Sequence, residues 1–261
     1  MKLAFGTAVV TALISTSALA ADMAMKAPAA ATAPAASWTG FYLGLNGGGA
    51  WGDFHSTLGL LQNNGSSASG NAALTAAGTT GASPSAFTGG GQFGYNARLA
   101  PQFVGGVEID MDYLGLSTLR QTGPIARLPD PAADFNEHAQ VRSMATLRAR
   151  AGWLPTPQLL VFVTAGLAVA DVDYAERIHF AQIPDTSFNQ GSASGWKTGP
   201  VVGGGLEYAF APRWTAKVEY LYTKLGSSNF ASANTFDPTY TLQHGFDADI
   251  SSARLGINYR L

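Results

Sequence analysis

Val107-Glu108-Ile109-Asp110-Met111-Asp112-Tyr113 decides how the chain is read. An extended strand puts Val107, Ile109, Met111 and Tyr113 on one face and three carboxylates on the other. A soluble sandwich strand would look similar in isolation, so the neighbouring segments carry the argument. Ala145-Thr146-Leu147-Arg148-Ala149-Arg150-Ala151-Gly152-Trp153 repeats the pattern, with Arg148 and Arg150 on the polar face and Arg142 in the same parity. Trp214, Ala216, Val218, Tyr220 and Tyr222 alternate with Lys217 and Glu219, and Leu255, Ile257, Tyr259 and Leu261 share one face of the last segment.

Adding the weaker segments gives eight strands, at about 38–53, 86–99, 103–117, 138–153, 159–174, 195–210, 213–226 and 248–261. Each reaches the roughly 9–11 residues that a tilted strand needs to cross a bilayer. Three connections are short and contain proline: Ala100-Pro101-Gln102, Leu154-Pro155-Thr156-Pro157-Gln158 and Ala211-Pro212. They alternate with four long ones, at about 54–85, 118–137, 175–194 and 227–247. That alternation predicts an all-β fold, an eight-stranded antiparallel up-and-down transmembrane β-barrel. Its long loops would be extracellular, its short turns and both termini periplasmic. A lipocalin also has eight strands, but with an apolar interior and a polar outside, the reverse of this sorting.

The N-terminus agrees with export. Met1-Lys2, the apolar run Leu3 to Ile14 and the triplet Ala18-Leu19-Ala20 predict a signal peptide over 1–20. The Ala/Pro-rich stretch 21–37 then reads as a periplasmic spacer, leaving 38–261 for the barrel. Only 12% of the 261 residues are charged, against roughly 25% in soluble domains, and 31 are glycine. A net charge of −2 offers no footprint for nucleic acid, and the absence of cysteine removes disulfides and thiolate chemistry. The mean hydropathy of +0.08 is well below that of a helical membrane protein. The longest other apolar run, Leu159 to Ala170, is too short for a spanning helix.

Taking the polar parity as the lumen, the expected ion-pair network is Arg98, Glu108, Asp110, Asp112, Arg142, Arg148, Arg150, Glu207, Lys217, Glu219, Arg254 and Arg260. Seven are basic and five acidic, and opposite signs fall on neighbouring strands, where they attract. Eight strands enclose a space that side chains just fill, so the lumen is expected to be plugged. The opposite parity carries no charge mid-strand, where an Arg or Lys would cost about 2–4 kcal/mol in lipid. Asp171, Asp173, Lys197 and Lys224 fall at loop-proximal ends. Trp38, Trp51, Phe103, Tyr113, Trp153, Trp196, Trp214, Tyr222 and Tyr259 are the expected interfacial aromatics, with Phe54 and Tyr174 also at the loop side.

Several motifs suggest other chemistry. Gly47-x-Gly49-x-x-Gly52 and Gly89-x-Gly91-x-x-Gly94 match a dinucleotide fingerprint, yet both lie within strands and no helix follows. His55, His138, His179 and His244 fall at strand tips or in expected loops, where solvated histidine is the default, and none has metal-ligand spacing. Asp53, His55 and Ser56 are sequence neighbours, which rarely form a catalytic triad. No His/Ser pair lies at a matched depth on one strand face, which disfavours an acyl-chain enzyme. The first long loop, Ser56 to Ser85, has no charge and reads as a mobile polar segment. No catalytic, cofactor or metal site is expected.

Trp38-Thr39-Gly40-Phe41-Tyr42-Leu43-Gly44-Leu45-Asn46-Gly47-Gly48, the Val163-Thr164-Ala165-Gly166-Leu167-Ala168 strand and the ending Arg254 to Leu261 resemble small alphaproteobacterial outer-membrane β-barrels. These are the porin-family or opacity-like surface antigens, which include haemin-binding members. The resemblance implies a Gram-negative outer membrane, roles in envelope integrity or adhesion, exposed antigenic loops, and no shared catalytic residues. It also implies a terminal Phe read by the barrel-assembly machinery; here Leu261 stands at that place, with Tyr259 two residues earlier. The expected partners are outer-membrane lipid and lipopolysaccharide, the assembly machinery during biogenesis, and a host or surface ligand at the loops. A structural barrel leads the functions, with a narrow porin and haem or host-ligand capture as alternatives.

Overall fold

The computed structural model describes residues 37–61, 67–127, 130–181 and 188–261. The signal peptide expected over 1–20 and the spacer expected over 21–37, its last residue apart, lie outside them. Among the described residues, eleven strands and one helix follow in order: β1 (Gly40–Leu60), α1 (Ala68–Gly78), β2 (Thr80–Ala82), β3 (Ser85–Ala100), β4 (Phe103–Gln121), β5 (Ile125–Arg127), β6 (Asp130–Thr156), β7 (Leu159–Phe180), β8 (Phe188–Ala211), β9 (Trp214–Lys224), β10 (Ser228–Ala233) and β11 (Thr241–Arg260).

Eight of these form an antiparallel ring in the order β1-β3-β4-β6-β7-β8-β9-β11, and β11 returns to β1 from Tyr42↔Arg260 to Leu60↔Leu242. Closure gives the terminal strands partners on both sides, which a bilayer demands of every backbone N–H and C=O at its depth. The short connections after β3, β6 and β8 and the two chain ends of the ring share one end of the barrel, the turn end. β2 and β5 are short additions to β1 and β6, and β10 replaces β9 as the partner of β11 toward the loop end.

The wall is taller than the sequence reading. β1 continues to Leu60, β6 starts at Asp130, β7 continues to Phe180 and β8 starts at Phe188, so much of the expected loops is strand. Alternation persists there with its sense changed: Phe54, Ser56 and Leu58 turn inward, while His55 and Thr57 turn outward. The first long loop, expected to be mobile, carries α1. Ser67 caps it by accepting from the Gly70 N–H (2.9 Å), and the Asp130 carboxylate accepts from both the N–H and the hydroxyl of Ser67 (2.9 and 2.7 Å). Arg120 donates to the Ala77 carbonyl (3.0 Å), placing a cation at the negative end of the helix.

Some glycines are set by how closely neighbouring strands pass. A Cβ on Gly166 would lie 2.0 Å from the Leu147 carbonyl oxygen, whereas one on outward-facing Gly91 would find nothing nearer than the Gly44 oxygen at 3.8 Å. Overpacking typically costs about 1–3 kcal/mol. Gly166→Ala therefore lowers the urea midpoint of folding into detergent micelles, or abolishes the mobility difference between boiled and unboiled protein. Gly91→Ala leaves both unchanged.

Candidate functional site in the barrel lumen

The lumen is filled in alternating layers. At the turn end Trp38, Val104, Leu154, Leu160, Phe162 and Ala209 form an apolar floor. Trp38 donates its indole N–H to the Pro157 carbonyl (2.9 Å), and the Arg260 guanidinium lies 5.2 Å from its ring centroid.

Above the floor lies a charged layer. Arg148, with a fully buried side chain, reaches Glu108 and Asp110 (both 2.5 Å) and Glu219 (2.7 Å). Arg150 pairs with Glu207 (2.7 Å), and Lys217 with Glu108 (3.0 Å) and Glu219 (3.3 Å). Arg254 bridges Asp110 (3.1 Å) and Glu219 (3.0 Å) and also pairs with Asp112. Neutral groups occupy further lone pairs. Tyr42 donates to Glu108 (2.7 Å), Thr146 to Asp110 (2.8 Å), and Thr215 and Asn258 to Glu207 (2.6 and 3.0 Å).

The next layer is apolar, with Phe54, Leu114, Leu116, Val141, Met144, Val172, Leu221, Phe246 and Ile250 in its core. A second polar layer follows. Arg120 faces Glu137 at 3.5 Å, and Glu176 accepts from Tyr174 (2.8 Å) and bonds to His244 (2.8 Å), which in turn meets Ser232 (2.7 Å). Burial holds the Glu137 carboxyl above the usual carboxylate range, with Glu176 adding to the shift and Arg120 opposing it. The loop end closes with an apolar cap of Leu58, Leu74 from α1, Phe135, Ile178, Phe180, Tyr240 and Leu242.

Nine of the twelve expected lumen residues therefore meet in one network, and three do not. Arg98 is exposed at the turn end, where its guanidinium donates to the Pro101 carbonyl. Arg142 is the unpaired residue of a β-bulge: Val141 faces Val172 and Ser143 faces Asp171, so Arg142 turns to the outer wall and pairs with Asp171 (3.7 Å) and Asp173. Arg260 stays at the floor, donating to the Ser37 (2.6 Å) and Pro212 (3.3 Å) carbonyls.

Among the expected interfacial aromatics, Trp51, Phe103, Tyr113, Trp153, Trp196, Trp214 and Tyr222 stand on the outer wall, and Tyr259 packs edge-on against Trp214 (ring centroids 5.0 Å). Trp38, Phe54 and Tyr174 are instead buried inside. His244 is also buried, contrary to the expectation of a solvated loop histidine, and it forms the His/Ser pair that the sequence reading did not find. That pair lies on two adjacent strands, β10 and β11, inside a stretch read as loop. Among the described residues, no group of three His, Asp or Glu side chains is placed to hold a metal ion.

A closed ring with an apolar outer wall and its charges inside is built to sit in lipid. The outer membrane protein beta-barrel domain model matches residues 17–260. The chain belongs to this outer-membrane β-barrel family. It is 33% identical over 256 residues, 96% of each chain, to the 31 kDa outer-membrane immunogenic proteins of Brucella melitensis and Brucella suis. The outer membrane protein OprG from Pseudomonas aeruginosa overlays 87% of the chain and 99% of its own at 13% identity and a TM-score of 0.46, too distant a likeness to carry function. In this Gram-negative outer-membrane barrel Leu43, Ile109, Leu147, Val163, Leu206, Val218 and Ile257 are exposed on the outer wall.

Removing one member of a buried ion pair costs about 3–5 kcal/mol, because its partners stay charged in a low dielectric. Arg148→Ala takes one cation from three buried carboxylates, leaving them to Lys217 and Arg254, and fails to give the heat-modifiable folded form, while Arg142→Ala, on the outer wall, lowers stability in urea by under about 1 kcal/mol. Glu137 has the opposite pH signature to a stabilising carboxylate. Its raised pKa makes the folded state bind the proton more tightly, so its share of stability is lost as pH rises out of the carboxylate range. Glu137→Gln flattens that decline in urea titrations run between acid and neutral pH.

Proposed function

We propose that the protein is a closed, structural outer-membrane barrel that displays its loop end at the cell surface and contributes to envelope integrity. The observation that carries this reading is the filled lumen, in which three apolar layers of buried side chains alternate with two polar ones. A porin needs a continuous wet path; here the charged side chains pair with one another, and apolar layers lie above and below them. The similarity to proteins named immunogenic supports display of the loop end. So does the economy of the turn end, whose connections are a few residues each. Tyr259 and Leu261 form the recognition end for the assembly machinery, with Leu261 exposed beyond the last strand.

Planar-bilayer recording tests closure: purified protein inserts without steady conductance steps, and uniform stable steps in most insertions would overturn it. Orientation is tested separately. A peptide epitope inserted between Asp237 and Pro238 is reached by antibody on intact cells, whereas one inserted after Pro212 is reached only after the outer membrane is permeabilised.

A further inference from the structure

Ser232, His244 and Glu176 stand in a line inside the lumen at the loop end. The Ser232 hydroxyl lies 2.7 Å from Nε2 of His244, and Nδ1 of the same ring lies 2.8 Å from a Glu176 carboxylate oxygen. A carboxylate cannot donate, so Nδ1 donates to Glu176, and the Nδ1–H tautomer of the ring is the one that presents an Nε2 lone pair to the Ser232 hydroxyl. The orientation is fixed from three sides. Tyr174 donates to the same Glu176 oxygen (2.8 Å), Phe230 stacks on the imidazole at 4.7 Å with the rings 10° apart, and register sets Phe230 opposite His244 and Ser232 opposite Leu242. Nucleophile, base and orienting carboxylate at hydrogen-bond distances are the geometric signature of an activated serine, recognised by roles rather than by sequence order.

The surroundings indicate a substrate class. Phe230, Tyr174 and Phe246 pack about the relay from below, and Leu242 and Tyr240 belong to the apolar cap above it. α1 closes that cap with Leu74 and is held by polar ties that include Ser67 to Asp130, Ala77 to Arg120 and Gly70 to Arg127. An apolar helix and cap over a Ser-His-Glu line is the arrangement expected of a lidded site for esters of apolar acyl groups.

We propose that Ser232 is an activated nucleophile that accepts the acyl group of such an ester beneath this cap. Its Oγ attacks the carbonyl carbon while the hydroxyl proton passes to Nε2 of His244. The C–O bond to the leaving alkoxide then breaks, the alkoxide takes that proton, and the acyl group remains on Ser232 until water repeats the sequence. Glu176 is a positioning residue, acting through His244.

The test is labelling of the full chain, reconstituted in phospholipid vesicles, with a long-chain alkyl fluorophosphonate, followed by peptide mass spectrometry. The adduct is expected on Ser232 of protein that still shows the folded gel mobility. Ser232→Ala, which loses only a hydroxyl, abolishes it. His244→Gln and Glu176→Gln slow it at least tenfold, and Glu176→Asp restores part of the rate. Absence of an adduct on Ser232 in the folded protein, equal labelling of Ser232→Ala, or labelling only after heat unfolding would overturn the proposal. If the Gln variants do not fold, the Ser232→Ala comparison decides alone.

Discussion

What surrounds the wall at each height dictates what fills the barrel at that height. Against lipid, every charge in a strand must turn inward, and the inward parity of β4, β6, β9 and β11 becomes a shell of arginine, lysine and carboxylate. Beyond the aromatic row of Trp51, Tyr113 and Tyr222 the outer wall turns polar, and the sorting reverses. Asp53, His55, Asp247 and Asp249 turn outward there, and Phe54, Leu58, Leu242 and Phe246 turn inward. One continuous ladder of hydrogen bonds thus carries two opposite sorting rules, and the lumen inherits an inverted membrane-depth section below an ordinary hydrophobic core.

The charged layer is costly by itself. Four cations and five carboxylates are almost fully removed from solvent, and such groups are tolerated only when they are paired and hydrogen-bonded to one another or to neutral donors. Guanidinium forks are suited to this, since Arg148 touches three carboxylates on β4 and β9 and Arg254 touches three on the same two strands. Tyr42, Thr146, Thr215 and Asn258 supply neutral donors that finish the carboxylates without adding charge. The result ties strands on opposite sides of the ring through their side chains. It adds a rigid cross-brace that apolar packing, being non-directional, would not specify as narrowly.

The membrane-depth half was readable because lipid leaves a simple residue code, in which Glu108, Asp110 and Asp112 could point only one way. The loop-end half was not, because the code changes there without any break in the strand. Ser228, Phe230 and Ser232, or Leu242, His244 and Phe246, alternate as regularly as the segments below. They mix polar, aliphatic and aromatic residues on the same face, so no charge marks which side is inside. The polar layer of Glu137, Glu176 and His244 therefore looked like loop. Likewise Trp38, Phe54 and Tyr174 carry the residue types of an aromatic girdle, and only parity and depth together tell that they fill the lumen.

Arg142 shows how the chain changes from one rule to the other. Counting by twos from Arg150 and Arg148 puts Arg142 inside, level with the apolar layer of Leu116, Val141 and Val172, where an arginine would have no acid to meet. Counted against β7, one extra residue in β6 rephases the strand at the depth of Tyr113, which lies opposite Ser143, where the outer wall passes from apolar to polar. Below the bulge the even positions Thr146, Arg148 and Arg150 point inward; above it the odd ones Val141, Ala139 and Glu137 do. The arginine is delivered to the outer rim beside Asp171 and Asp173, and the lumen receives valine in its place. A bulge at this height is therefore the backbone counterpart of the membrane boundary itself: it lets a strand of fixed period satisfy two solvents in succession.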